Sequence, residues 1–403
     1  MITAVEYHRS PMRYLAARGA SARVSGAIGN SMSGSLAPLR LVNRADPRRP
    51  GPQWARVRPL LSGICGSDLA LLTGRSSPYL SPVVSMPFVP GHEIVGRLLD
   101  DVDGLSSGQR VVLDPVLSCA TRDVDMCAGC AAAHEDRCDH VTGGVVSAGL
   151  QTGFCGDTGG GWGGMVVAHT RQLHGVPEGV TNERAVLVEP LACAVHTVRR
   201  AAVPDGASVV IVGAGTVGLL TLLALREFAS PGQVYVIAKH RHQAERARKL
   251  GATDVIEPRK AARVLRRATG GSLQTPERGA EFLLGGVDVA MECTGGSGLD
   301  SALRLVRAGG TVVLSGMPSS SVDLTPVWYR ELSVIGSYAS DSGGGAGDRQ
   351  GDFADALDLI AHAPLDGYVD AVYPLSQWRE AVGHALAAGR LGSVKVAFDP
   401  ARD

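Results

Sequence analysis

Nowhere in the 403 residues does an apolar run approach the length of a membrane-spanning helix, and the opening MITAVEYHRSPMRYLAARG lacks a signal peptide's long apolar core. The chain therefore reads as cytoplasmic, without a membrane partner. An excess of charge is missing too, since Lys plus Arg and Asp plus Glu stand at 39 each. That balance gives no pointer to nucleic acid or an anionic surface and favours a small-molecule substrate. Internal repeats are absent. Only 19% of the residues are charged against 45% hydrophobic, enough apolar material for more than one core, and two domains suit this length. Eight cysteines, four of them crowded between residues 119 and 138, suit bound metal in a reducing compartment better than a disulfide framework.

Residues 11 to 38 are rich in Gly, Ser and Ala with weak periodicity, and read as a long surface excursion or partly ordered insertion. From there to about residue 180 come short β-like runs such as QWARVRPLLSG and QRVVLDP, broken by Gly and Pro, the pattern of an irregular, mostly β domain. Near residue 200 the texture changes. ASVVIVGAG, GQVYVIAKH, TDVIEP, GVDVAMECTG, GTVVLSG and ELSVIGSY predict strands, with TVGLLTLLALREFA, HQAERARKLG and DSALRLVRAGG among the helices between them. Such alternation predicts a doubly wound parallel sheet, an α/β fold. After SDSGGGAGDRQG a helix, YPLSQW and a last strand SVKVAF are expected to rejoin the first domain. The expected boundaries are 1–190 for the first segment of the mostly β domain, 191–338 for the parallel-sheet domain and 339–403 for the second segment.

Gly213, Gly215 and Gly218 in VVIVGAGTVGLL have GxGxxG spacing between a strand and a helix that opens at Thr216 and Val217. Gly213 makes the tight turn, Gly215 lets a pyrophosphate approach the backbone, and Gly218 lets helix and strand pack closely. Free amides at the helix start would hold the phosphates. At the end of the next strand, where an acidic residue would take an NAD ribose hydroxyl, stand Ala238, Lys239, His240 and Arg241. A basic trio attracts a 2′-phosphate, so NADP(H) is favoured over NAD(H).

Cys119, Cys127, Cys130 and Cys138 surround a central Cys-x2-Cys with a seven-residue spacer on each side. Four thiolates complete a tetrahedral zinc and leave no open position, which is the arrangement of a structural site. His134 and His140 read as surface neighbours of that lobe. A second set is dispersed: Cys65 in GICGSD, His92 and Glu93 in PGHE, and Glu189 in VEPL. A thiolate, an imidazole and a carboxylate make an incomplete zinc shell with room for a substrate.

The order Cys-Gly-Ser-Asp, Gly-His-Glu, a cysteine lobe, Glu-Pro-Leu and GxGxxG resembles the zinc-dependent medium-chain alcohol dehydrogenase/reductase family, in particular its sorbitol and threonine dehydrogenase-like branch. The resemblance spans nearly the whole chain. It implies a GroES-like, mostly β catalytic domain in two pieces and a Rossmann domain between them. It also implies two zinc ions per chain, one catalytic on Cys65, His92 and Glu189 and one structural on the four lobe cysteines. By the same resemblance Ser67 would hydrogen-bond the reacting oxygen, Asp68 would orient His92, and Glu93 would be a neighbour able to exchange into the shell. Cys193 is the alternative third ligand. Relatives assemble as dimers and tetramers through the Rossmann domain, which implies a homo-oligomer.

Two departures stand out. The first lobe spacer is seven residues where the family has two, and Ala70 occupies the place of the family's proton-accepting histidine. The expected activity is hydride transfer between NADP(H) and a small alcohol or carbonyl compound. A reductase of C=N or activated C=C bonds on the same scaffold is the alternative within the class. A nucleotide-binding protein that keeps only structural zinc is the alternative outside it. The stretch TGFCGDTGGGWGG is expected to border the substrate, although Phe154 and Trp162 could equally be packing residues.

Overall fold

The computed structural model describes residues 1–23, 35–318, 321–341 and 351–402. β1 (Ile2–Tyr7) pairs antiparallel with β2 (Leu39–Arg44). Between them the expected surface excursion or partly ordered insertion begins as a helix, Pro11–Arg23, which the weak periodicity did not predict. The reason is local: proline is tolerated in a first turn, and the Met, Leu, Ala and Arg that follow are strong helix formers. Tyr14 fastens it by donating its hydroxyl to the Ser76 carbonyl at 2.7 Å, and residues 24–34 of that excursion lie outside the described residues.

β3 (Trp54–Gly63), β4 (Ile94–Leu98), β5 (Arg110–Leu113), β6 (Val166–His169) and β7 (Leu173–Gly175) follow. Then come β8 (Val209–Val212), β9 (Val234–Ile237), β10 (Asp254–Ile256), β11 (Ser272–Gln274), β12 (Phe282–Leu284), β13 (Val287–Glu292), β14 (Val306–Leu314) and β15 (Ser333–Gly336). β16 (Val369–Tyr373) and β17 (Lys395–Phe398) complete the strands. The described chain divides into one unit made of Met1–Ala192 with Ala339–Asp403 and a second made of Cys193–Tyr338.

In the first unit the sheet runs β16-β17-β3-β4-β5-β7, with β6 also paired to β3. Only β16 and β17 are parallel to each other; the remaining pairs are antiparallel. Val57, Ile94, Leu98, Val111, Leu113 and Val166 meet in its core. Each such side chain removed from water contributes roughly 1.5–3 kcal/mol.

The second unit is a six-stranded parallel sheet in the order β10-β9-β8-β13-β14-β15. β8 and β9 are buried throughout, as strands covered on both faces must be, which is why they read as unbroken apolar runs. The strand order reverses between β8 and β13, the point where doubly wound sheets take their ligands. Two details differ from the sequence pattern. The helix Gly298–Leu305 stops early because Val306 turns extended and its VRAGG joins β14, and β11 and β12 form a short hairpin. No helix among the described residues is long and apolar enough to cross a membrane.

Candidate metal centre and dinucleotide site

β3 ends at Gly63, and two residues later Cys65 caps the short helix Gly66–Leu72 in extended conformation. Its backbone N–H donates to Asp68 Oδ2 at 2.9 Å, so the first helical turn fixes both residues. The other Asp68 oxygen lies 3.7 Å from His92 Nδ1. That contact is too long for a hydrogen bond but turns the Nδ1 edge of the imidazole toward Asp68, leaving Nε2 for a metal. Gly91, just before His92, holds φ +93, and a side chain there would strike Trp162 and Ser62. The glycine is therefore what lets PGHE lead its imidazole and carboxylate into the site.

Cys65, His92 and Glu93 place one donor atom each within 4.8 Å of one another. Glu189, near the start of the helix Val188–Ala201, is buried in the same electrostatic neighbourhood but is not part of that triangle, and neither is Cys193. Burial pushes the Cys65 thiol and the Asp68 and Glu189 carboxyls above their ordinary ranges. One buried amine, Lys395, faces these acids and pairs with Glu93. Ser67 Oγ, Asp68 Oδ1, His92 Nδ1 and Glu93 Oε1 are buried and find no hydrogen-bond partner among the described residues. Several acids around one amine, with orphaned polar atoms between them, is an arrangement that a divalent cation would balance. The sulfur, nitrogen and oxygen donors suit zinc.

The cysteine lobe is built differently. Cys119, Cys127, Cys130 and Cys138 all have their sulfurs within 4.8 Å of one another, and none is in a disulfide. Backbone N–H groups reach in: that of Cys127 donates to the Cys119 sulfur at 3.3 Å and that of Asp139 to the Cys127 sulfur at 3.4 Å. Burial works against a thiolate at Cys127, but hydrogen bonds from the Cys130 and Asp139 amides and from the Cys130 and Cys119 side chains outweigh it and hold its thiol below the ordinary range. The long first spacer carries Arg122, fully buried, whose guanidinium donates to the carbonyls of Gly143, Val146, Ser147 and Gly149 at 2.6–3.2 Å. Neither histidine of the lobe is an idle neighbour. His134 Nδ1 lies 2.7 Å from Asp341 Oδ2, and His140 Nδ1 lies 3.3 Å from the Cys119 sulfur and 3.0 Å from the Asp125 carbonyl.

In the second unit Gly213 ends β8 at φ +103, and the helix Thr216–Phe228 starts after Gly215. The last two glycines of the motif have different reasons. A side chain at Gly218 would collide with the Gly213 carbonyl, so that position is dictated by packing. A side chain at Gly215 would meet nothing within 4 Å, so packing does not require glycine there, and open backbone beside the amides of Thr216 and Val217 suits a phosphate. Ala238 is buried at the end of β9, Lys239 and Arg241 are exposed, and His240 caps the helix Arg241–Lys249. Arg241 is engaged by Glu245 at 2.8 Å.

Of the two aromatics in the glycine-rich stretch, Trp162 is fully buried against Phe398 and belongs to the core. Phe154 is half-buried with its ring 5.8 Å from that of His92, beside the donors. Lys395 and Arg122 are what sequence reasoning missed. The only signal was a basic residue within an apolar strand for one, and an overlong spacer for the other.

Residues 51–178 match the family described as alcohol dehydrogenase GroES-like domain, and residues 216–362 match zinc-binding dehydrogenase. The chain is 32% identical over 300 residues to L-idonate 5-dehydrogenase of Vitis vinifera, covering 72% of this chain and 74% of that protein. The chain belongs to the zinc-dependent alcohol dehydrogenase family. It is an enzyme of the family's sorbitol dehydrogenase-like branch, and sorbitol dehydrogenase of Arabidopsis thaliana is 30% identical over 295 residues, 72% of this chain and 74% of the relative. Among solved structures, a zinc-binding dehydrogenase from Sinorhizobium meliloti 1021 bound to NADP superposes with TM-score 0.69 at 25% identity, covering 99% of both chains.

Proposed function

We propose that this enzyme is an NADP(H)-linked, two-zinc dehydrogenase/reductase that interconverts small polyol-type alcohols and their carbonyl forms. The observation that carries the reading is the buried Cys65, His92, Glu93 and Glu189 group, which combines zinc-type donors with orphaned polar atoms. The relatives named for idonate and sorbitol supply the substrate class, and the NADP-bound neighbour supports the cofactor.

When bound, zinc supplies Lewis acidity and the nicotinamide carries the hydride. The chain's own residues do the rest. Ser67 Oγ has no competing partner among the described residues and is available to hold the substrate's hydroxyl proton. Asp68 orients His92, and the Phe154 ring shields that imidazole from water. The backbone at Gly215 and the amides of Thr216 and Val217 take the pyrophosphate, while Lys239, His240 and Arg241 offer positive charge to the 2′-phosphate. Alanine at position 70 supplies no base, so a proton leaving Ser67 goes to solvent by a slower route.

The four lobe cysteines hold the second zinc, and thiolates committed to a metal suit a reducing compartment such as the cytoplasm. The edge of the second unit supports a homo-oligomer joined there. β15 is the last strand of the sheet with a largely exposed face, and Trp328 and Tyr329 beside it are 81% and 63% exposed.

The test is metal content with a substrate screen. Two zinc ions per chain, and turnover of polyols and ketoses that is faster with NADP(H) than with NAD(H), are expected. One zinc ion and no turnover with either cofactor would overturn the reading.

A further inference from the structure

The cysteine lobe carries a second group of metal-type donors that its sulfurs do not use. His134, Asp136 and Asp341 place one donor atom each within 4.8 Å of one another. The first two lie between Cys130 and Cys138, while Asp341 belongs to the segment that re-enters the first unit at Ala339. His134 and Asp341 are 207 residues apart in sequence, so only the fold brings them together.

Both arms of the group are held by their own surroundings. Gly129 lets the lobe's loop close, because a side chain there would strike the carbonyls of Arg137 and His134, and the His134 N–H donates to the Gly129 carbonyl at 2.9 Å. Glu135, between the two lobe donors, is engaged elsewhere, by the Ser118 hydroxyl at 2.7 Å and by the Arg171 guanidinium. On the other arm the Asp341 N–H donates to Asp352 Oδ2 at 2.7 Å, and the Asp352 N–H donates back to the Asp341 carbonyl at 3.0 Å. Each arm also enters through an alanine in the left-handed region, Ala133 at φ +60 and Ala339 at φ +52. Such residues persist where the structure around them over-determines the backbone.

The chemistry points the same way. His134 Nδ1 and Asp341 Oδ2, 2.7 Å apart, share one proton, and a metal ion can take that proton's place because both atoms become ligands once it leaves. The side chains of Asp136 and Asp341 are 5% and 17% exposed, and the Arg137 guanidinium stands 3.4 Å from Asp136 Oδ2, longer than a charge-assisted hydrogen bond. One nitrogen and two carboxylate oxygens suit zinc or manganese better than calcium, which takes six or more oxygens. Three protein donors leave positions for water, and the half-exposed imidazole gives a path for exchange.

We propose that His134, Asp136 and Asp341 bind a third, exchangeable divalent transition-metal ion of the zinc class, which pins the cysteine lobe to the segment re-entering at Ala339. The site is separate from the Cys65 centre and from the four lobe sulfurs, and it does not depend on the substrate or cofactor proposed above.

The probe is zinc chloride, added to the full chain after metal analysis has counted the tightly held ions. Calorimetric titration is expected to show one further zinc ion per chain, and the thermal midpoint to rise by about 3 °C when free zinc reaches about 100 times its dissociation constant. His134→Gln, Asp136→Asn and Asp341→Asn are each expected to weaken this binding by about 10-fold or more and to remove the midpoint shift, with the tightly held zinc unchanged. His362→Ala, which removes an exposed histidine of the same unit, should leave both readings as in the parent. No further ion up to about 1 mM zinc, or a further ion that all three variants bind as tightly as the parent, overturns the proposal. Loss of a tightly held ion from His134→Gln would place that imidazole in the lobe's own shell and overturn it as well. Should Asp136→Asn, at the most buried of the three, fail to fold, the other two variants decide the matter.

Discussion

The two clusters of metal-type donors in the first unit are opposites in how their polar groups are satisfied. The lobe gathers four sulfurs from a stretch of twenty residues, Cys119 to Cys138, and the amides of Cys127 and of Asp139, one residue beyond it, donate to them. The Cys65 centre draws on β3, the run before β4, the helix Val188–Ala201 and β17, and leaves buried oxygen and nitrogen atoms without partners among the described residues. The pair of glycines in the second unit repeats the contrast: Gly218 is closed by the Gly213 carbonyl, and Gly215 faces open space. Where the protein satisfies its own groups the site holds the fold together, and where it leaves them unsatisfied the site waits for something from outside.

The sharpest way to break this comparison is to remove one sulfur from each cluster. Cys127→Ser should lose one zinc ion and lower the thermal midpoint by on the order of 10 °C, because metal binding in such a lobe is folding free energy. Cys65→Ser should lose the other ion and the activity while shifting the midpoint by about 3 °C or less. Metal analysis and calorimetry on both variants check this, and similar midpoints would erase the distinction.

At the dinucleotide site, replacing Lys239 and Arg241 with alanine should weaken NADPH binding by roughly 10- to 100-fold, on the order of 1–3 kcal/mol, and leave NADH binding nearly unchanged. Equal losses measured by titration would show that the basic trio is only a solvated loop. A smaller effect is expected at Ala70. With a histidine there, alcohol oxidation near neutral pH should rise by about 10-fold, and the rise of the parent's rate with pH should flatten. An unchanged rate, with hydride transfer shown to limit turnover, would mean that the proton leaves elsewhere.

His174 sharpens the rule from the other side. Its ring stacks on Phe353 at 4.9 Å, its Nε2 is buried without a hydrogen-bond partner among the described residues, and burial lowers its pKa to about 4. Among the described residues no donor group forms around it, so an orphaned atom alone does not make a site. The folded protein resists protonating this imidazole more than the unfolded chain does. Its contribution to stability is therefore complete above pH ~6.5 and is lost as the pH falls from there toward 4. His174→Gln should flatten that part of the stability profile in denaturant titrations, and an unchanged slope would contradict the assignment.

The same contrast explains what the sequence disclosed. The parallel-sheet unit was legible because its strands are buried on both faces and its turn chemistry is local: VVIVGAG declares both strand and turn. The cysteine lobe was legible for the same reason, since its ligands sit within one short stretch. The dispersed donors became visible through their short motifs, CGSD, GHE and VEPL, and through family resemblance, not through any spacing of their own. Lys395 was hidden because its role depends on Glu93, 302 residues earlier, and on a glycine that leaves room for the pair. Arg122 was hidden because its partners are carbonyls, which every residue has. The helix Pro11–Arg23 was obscured by a Gly- and Ser-rich continuation that lowered the apparent periodicity of the whole segment.

The strand that brings Lys395 to the metal centre also sets an order of assembly during synthesis. Chains emerge from the ribosome N-terminus first, at roughly 5–20 residues per second, and units fold as they become complete. The cysteine lobe has all its ligands once Cys138 has emerged. The Cys65 centre must wait for Glu189, then for the whole of the Cys193–Tyr338 unit, and finally for β17. During that interval the nascent chain already holds Cys65, His92, Glu93 and Glu189 without the ammonium that balances them. With zinc in the lobe as proposed, that metal enters early as part of folding, whereas the Cys65 centre reaches its final charge balance only as one of the last events in making the protein.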